Sequence, residues 1–300
     1  MLILNKKMSY LGLYRIILIL SFLCLWVSTR ISEDWENGLG LVLILSIGVI
    51  HGANDVRIHL NKSERSTKRI LSFILKYLVV VFLGTVGFFL LPQITLGLFI
   101  LVSGYHFGQE HFEKYQLPAS WKNNLFVAAY GLLILLMLFK INSSQSLNVI
   151  NEIVSMNITE QQLYYALLAT CVILVATGAY QLRGLPLKTI AKELLYLAVI
   201  FIIFNTSSLL WGFAIYFVLW HSIPSMYTQI TFLYGDSNRS HVWSYIKYSS
   251  LYWIASLIFL GVLYFFLQER TQFLLSIIVA FLGGITFPHV FVMDKMIKKA

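Results

Sequence analysis

The chain has 300 residues, of which 58% are hydrophobic and only 12% charged, and its mean hydropathy is +0.77. That composition excludes a soluble domain with a polar surface and describes a polytopic membrane protein. The net charge of +9 recurs in short clusters between apolar runs, which marks topology and contact with the lipid bilayer, with no nucleic acid implied.

At about 20 residues per span, the chain is expected to be all-α, a single transmembrane domain over 1–300 with roughly ten helices. The first helix, at about 11–28, follows Lys6 and Lys7 and is expected to be retained, with its basic end in the cytoplasm. An acidic loop (Glu33, Asp34, Glu36) leads to helix two, about 38–56, followed by Arg57, Lys62, Arg65, Lys68 and Arg69. Helix three, about 70–91, ends at Pro92, and helix four returns over about 94–112. Helix five covers about 124–140, and the segment after it, with Glu152 and Glu160, is external on charge grounds. Helix six, about 162–181, runs into Arg183, Lys188 and Lys192. The long apolar stretch that follows splits at Asn205-Thr206-Ser207-Ser208 into helix seven, about 193–204, and helix eight, about 209–228. Helices nine (about 243–267) and ten (about 272–293) complete the bundle. With both termini cytoplasmic, only Arg30, Lys140 and Arg270 of 22 basic residues fall outside; nine helices would place the Arg183 and Lys295 clusters on opposite faces. Cys24 and Cys171 lie inside spans without metal-site spacing and are assigned to the core or the lipid face.

Four apolar segments carry a histidine: His51, His106, His221 and His289. An ionisable side chain in a spanning segment costs a few kcal/mol and marks function by default. In the ten-helix arrangement these four sit at similar depth near the cytoplasmic ends of helices two, four, eight and ten, as a shared metal requires. Neutral imidazole binds iron, copper, zinc and nickel, and four nitrogens with open positions suit an iron that also meets oxygen. His59, His111 and His241 fall at helix ends and are expected to be solvated. Asp55 follows His51 by four residues and Glu110 follows His106 by four. Each pair shares a helix face and would fix its histidine's tautomer; Asp294 is expected only to end its helix. Gly52, Gly104, Gly108, Gly283 and Gly284 permit close helix approach, and Pro224 and Pro288 can kink the helices beside His221 and His289. Tyr105, Phe107, Trp220, Tyr227, Phe287 and Phe291 are candidate walls of a substrate tunnel.

The ordered phrases His51-Gly-Ala-Asn-Asp55, Tyr105-His106-Phe107-Gly108-Gln-Glu110, Trp220-His221-Ser222 and Pro288-His289 resemble the Brp/Blh family of membrane β-carotene 15,15′-dioxygenases. The resemblance runs from helix two to the end of the chain. It implies Fe(2+)- and O2-dependent cleavage of the central double bond of β-carotene into two molecules of all-trans-retinal, in the inner (cytoplasmic) membrane, with a retinal-binding microbial rhodopsin as functional partner. Some family members carry a second histidine four residues after the one matching His221; here that position is Ser225, and the depth argument assigns the fourth ligand to His289. The competing readings are a di-iron membrane desaturase or hydroxylase and a metal or proton transporter. The first uses clustered histidine boxes and the second often shows internal repeats, of which this sequence has no convincing one.

Overall fold

The computed structural model describes residues 2–60, 66–118, 120–269 and 274–299. Lys62, Arg65 and Arg270, used above to orient the helices, lie outside the described residues. All regular structure among the described residues is helical: thirteen α-helices and two π-helical segments.

Helix α1 (Leu2–Ser28) is followed by α2 (Glu33–Leu43), which continues as a π-helical segment, Ile44–Gly48. A turn over 51–54 leads into the short α3 (Asp55–His59). Next come α4 (Thr67–Leu90), α5 (Pro92–Glu113), α6 (Trp121–Ile141) and a short helix that sequence reading did not separate, α7 (Ser143–Val154). Then follow α8 (Glu160–Gln181) and α9 (Leu187–Thr206). The run Leu209–Tyr234 is continuous: α10 (Leu209–Ile215), a second π-helical segment (Tyr216–Ser222) and α11 (Ile223–Tyr234). The chain closes with α12 (Arg239–Leu267) and α13 (Leu274–Lys299). Six of these stretches are long and apolar enough to cross a membrane: α4, α6, α8, Leu209–Tyr234, α12 and α13.

The chain does break within 205–208. There α9 ends and the Ser208 hydroxyl accepts from the Trp211 amide, satisfying one of the unpaired N–H groups at the start of α10. Helix two is shorter than its sequence suggests. The last helical bond before the turn runs from the His51 amide to the Ile47 carbonyl, after which Gly52 and Ala53 close tight turns on Val49 and Ile50. His51 and Asp55 are therefore not on one helical face.

The stretch Leu209–Tyr234 forms the axis of the bundle, with 83% of its apolar window buried, against 17% for α4 and 11% for α12. Around it the largest core cluster collects Tyr14 and Ile17 of α1, Phe126, Tyr130 and Ile134 of α6, Ile200 and Phe204 of α9, and Trp220. In lipid there is no hydrophobic drive to bring helices together, so backbones approach where side chains are small. The contact of α5 with α6 is such a place. A Cβ on Gly108 would meet the Val127 carbonyl oxygen at 1.8 Å, and one on Gly131 would meet the Gly104 carbonyl oxygen at 1.9 Å. The obstacle is backbone, which cannot swing aside. Gly108→Val is expected to destabilise the bundle by about 3 kcal/mol or more, at or beyond the upper end of the usual cost of overpacking; a fall in the melting midpoint in detergent relative to wild type checks this.

Candidate metal centre and substrate cavity

Five elements deliver the site. The π segment of α2 and the turn after it present His51, α5 presents His106, the second π segment presents His221, α13 presents His289, and α3 opens on Asp55. A π turn inserts an extra residue into the helical ladder and re-aims the side chains around it, and such turns concentrate at functional sites. Two of the four histidines adjoin one. In the second, the Ser222 hydroxyl donates to the Phe217 carbonyl five residues back at 2.8 Å, and Pro224, in the first turn of α11, lacks the N–H that would continue the ladder.

The four imidazoles are buried and stand in a ring. Neighbouring ring centroids are 5.1 Å apart for His51 and His221, 4.9 Å for His221 and His106, 5.1 Å for His106 and His289, and 4.9 Å for His289 and His51. Each ring stands nearly edge-on to its neighbours, at 78–90°. Ligand nitrogens of His51, His106 and His221 lie within 4.8 Å of one another, close enough to hold one metal ion. The Nδ1 of His51 is engaged by the Gly48 carbonyl, leaving Nε2 as its ligand atom. Both nitrogens of His106, and the Nε2 of His221 and of His289, are buried with no hydrogen-bond partner in the protein. Buried polar atoms are almost always satisfied, because leaving one bare in an apolar interior costs about 1–3 kcal/mol. Bare nitrogens on three rings of the four fit a metal, with His51, His106 and His221 forming the compact group and His289 beside it.

The carboxylates are present but pair differently from the sequence expectation. Because the chain turns after Ile50, Asp55 crosses to α13 instead of folding back on His51. The His289 Nδ1–H donates to it, with oxygens at 2.9 and 3.1 Å, and the Tyr77 hydroxyl donates to the same carboxylate at 2.9 Å. Glu110 sits 4.0 Å from the His106 Nε2 but 3.5 Å from the His221 Nδ1, so its nearer imidazole is on another helix. Ser225 donates to Glu110 at 3.0 Å and Gln229 donates to Ser225 at 2.9 Å. The Tyr245 hydroxyl reaches the Gln229 side-chain oxygen at 2.6 Å and the His51 carbonyl at 3.0 Å. Ser225 thus takes no part in the imidazole ring and supports the carboxylate beside it. Tyr77, Gln229 and Tyr245 carry no motif by which sequence could have found them.

Asp294 stands apart, taking Gln109 at 3.0 Å, the Tyr105 hydroxyl at 3.4 Å and Lys298 at 2.5 Å. His241 is bound to Asp236 near the surface at 2.7 Å, and His59 is half-buried, stacked on Phe73 with centroids 4.4 Å apart. His111 corrects the expectation of a solvated ring: it is buried, and its Nε2 meets Glu193 of α9 at 2.6 Å. Lys114 joins the same carboxylate at 3.2 Å and lies over the Tyr14 ring at 4.0 Å, and the Tyr115 hydroxyl donates to Glu193 as well. The cause is packing: His111 lies in the last turn of α5, as expected, but that end of the helix is covered by α6 and α9, where the ring stacks on Tyr130 and meets Glu193.

A cavity of about 570 Å³ opens from the imidazoles, within the range of small-molecule sites. All four histidines line one part of it, with apolar walls beyond, drawn from α4, α5, the second π segment, α12 and α13. Of the six aromatics proposed as tunnel walls, Phe107 lines it. The other five are placed elsewhere among the described residues. Trp220 is buried in the core with its N–H donated to Ser21, and Phe291 is 69% exposed. Phe287 packs against Gly84, Tyr105 turns to Asp294, and Tyr227 is half-buried on α11.

A family model described as β-carotene 15,15′-dioxygenase matches residues 42–297, which include every residue of the site. Searches among curated proteins and among solved structures gave no match.

Two substitutions separate the two buried polar clusters. Asp55→Ala removes the acceptor that orients His289 and is expected to weaken binding of a divalent metal about 10–100-fold, the usual effect of losing such a support, as read by metal titration of the purified protein. Glu193→Gln strands Lys114 and is expected to cost about 3–5 kcal/mol of stability with metal affinity unchanged, as read by thermal melting and the same titration.

Proposed function

Since the chain belongs to the β-carotene 15,15′-dioxygenase family, we propose that it cleaves the central double bond of β-carotene with O2 to give two molecules of all-trans-retinal, using one Fe(2+) held by His51, His106, His221 and His289. The observation that carries this reading is the ring of four buried imidazoles, three with bare nitrogens, opening on an apolar cavity of about 570 Å³. A dioxygenase of an apolar polyene needs those two features together.

The donor set fits iron. Four neutral imidazoles add no charge to a ferrous ion in an apolar bundle, and they leave coordination positions free on a metal that favours six. Ferrous iron, when bound, supplies the electron chemistry that lets ground-state O2 react with an alkene. The chain's own residues do the rest. Asp55 accepts the His289 N–H, and Glu110 stands beside His221 and His106, so the rings are fixed in orientation before substrate arrives. Phe107, Phe217 and Phe259 line the cavity and exclude water from the reacting carbons. The overall change breaks one C=C and one O=O bond and forms two C=O bonds, so no proton is gained or lost. No general base is needed, and none is assigned. Specificity then falls to the shape of the apolar walls.

The protein is proposed to sit in the inner membrane with both termini cytoplasmic, releasing retinal to a membrane acceptor such as a microbial rhodopsin. A di-iron desaturase would require further histidines near the first set, whereas His59, His111 and His241 lie in other surroundings. Expression in a host that accumulates β-carotene is expected to bleach the orange colour and yield retinal on chromatography, and His106→Ala is expected to yield none. Full colour with no retinal from the wild-type chain contradicts the assignment.

A further inference from the structure

The apolar wall of the cavity contains side chains that are also exposed on the outside of the bundle. On α4, Leu78, Phe82 and Phe89 line the cavity and are nonetheless 56%, 65% and 48% exposed. Their spacing, i, i+4 and i+11, places them on one stripe of the helix. On α12, Tyr252, Ala255 and Leu263 line the cavity from the other side, spaced i, i+3 and i+11, and Ala255 is exposed. Helices α4 and α12 both pack against α13, which lies behind the gap between them. They are also among the least buried of the candidate spans. A residue that is at once cavity wall and outer surface belongs to the rim of an opening. The α4 stripe, and on α12 Ala255 with half-buried Tyr252 and buried Leu263 in line with it, mark the two sides of a slot, about 16 Å long at 1.5 Å per residue over eleven residues.

We propose that the slot between α4 and α12 is a lateral portal through which a rod-shaped apolar polyene passes directly from the bilayer to the histidine ring. The inference rests on the function proposed above and adds the route. The slot is continuous with the cavity that the four histidines line, and its rim is apolar. Its direction along the helices suits a long thin molecule rather than a globular one. A substrate dissolved in lipid that reaches the site sideways never crosses water, so no desolvation barrier opposes it. Ala255 is the small, exposed residue on the α12 side of the slot, so a larger side chain there narrows it.

The test compares tryptophan at the rim with tryptophan elsewhere on the same helix. Ala255→Trp is expected to raise KM for β-carotene presented in phospholipid vesicles about tenfold and to slow the loading of β-carotene into the purified protein. Leu78→Trp narrows the slot from the α4 side and is expected to act in the same direction. Ile258→Trp lies on α12 at a position 63% exposed but off the cavity, and is expected to leave both readings within about twofold of wild type. Iron content and melting midpoint are measured on all four proteins, so that a folding defect in one rim variant is recognised and the other decides. If the wild-type chain forms retinal and both rim variants behave like Ile258→Trp, the portal is wrong, the function stands, and the slot is a crevice filled by lipid chains. If the wild-type chain forms no retinal, the function falls and the portal with it.

Discussion

Bare imidazole edges on His106, His221 and His289, in a ring closed by His51, are the constraint on which the rest of the structure depends. Each bare nitrogen is costly where water does not reach. The four rings stand about 5 Å apart around one space, so the proposed ion would take one nitrogen from each ring. Much of the surrounding architecture holds those edges together. Asp55, steadied by Tyr77, fixes His289, and Ser225 and Gln229 steady the Glu110 carboxylate beside His221. These supports reach across the bundle from α3, α4 and α11, so the ring is braced from several directions.

The backbone does its share through devices peculiar to membrane helices. Gly104 and Gly108 bring α5 against the backbone of α6, which positions the helix that carries His106 on one side and His111 on the other. The two π segments spend regular hydrogen bonding to turn His51 and His221 toward the same point, and the buried surroundings of Leu209–Tyr234 keep the altered ladder from water. The second buried cluster, His111 with Glu193, Lys114, Tyr115 and Tyr130, is of a different kind. There the Lys114 ammonium finds its counter-charge in Glu193 within the protein, so the cluster ties α5 to α9.

Much of this was legible in the sequence, for physical reasons that also mark where reading stopped. The four histidines stood out because nothing in bilayer packing explains them. The break within 205–208 was legible because four polar or hydroxylated residues interrupt an apolar run. The partner of Asp55 was not legible: i,i+4 spacing implies a shared face only while the helix lasts, and here it ends before Gly52. Nor were most of the cavity walls. On a helix the neighbour of a ligand points about 100° away from it, so Trp220 beside His221 enters the core, and Phe291, two residues past His289, faces outward. The walls came instead from α4 and α12, whose apolar residues look in sequence like any others that face lipid. His111 was misjudged because a place in the last turn of a helix does not reveal that other helices cover that end.

The central claim is that the four imidazoles bind one ion together. X-ray absorption at the iron edge of the purified, iron-loaded protein addresses it directly. The account predicts one iron per chain, a nitrogen-rich first shell with the outer scattering of several imidazoles, and loss of that signature when His221 or His289 is replaced by alanine. Two irons close to one another, or a first shell without imidazole that is unchanged by either substitution, would contradict it.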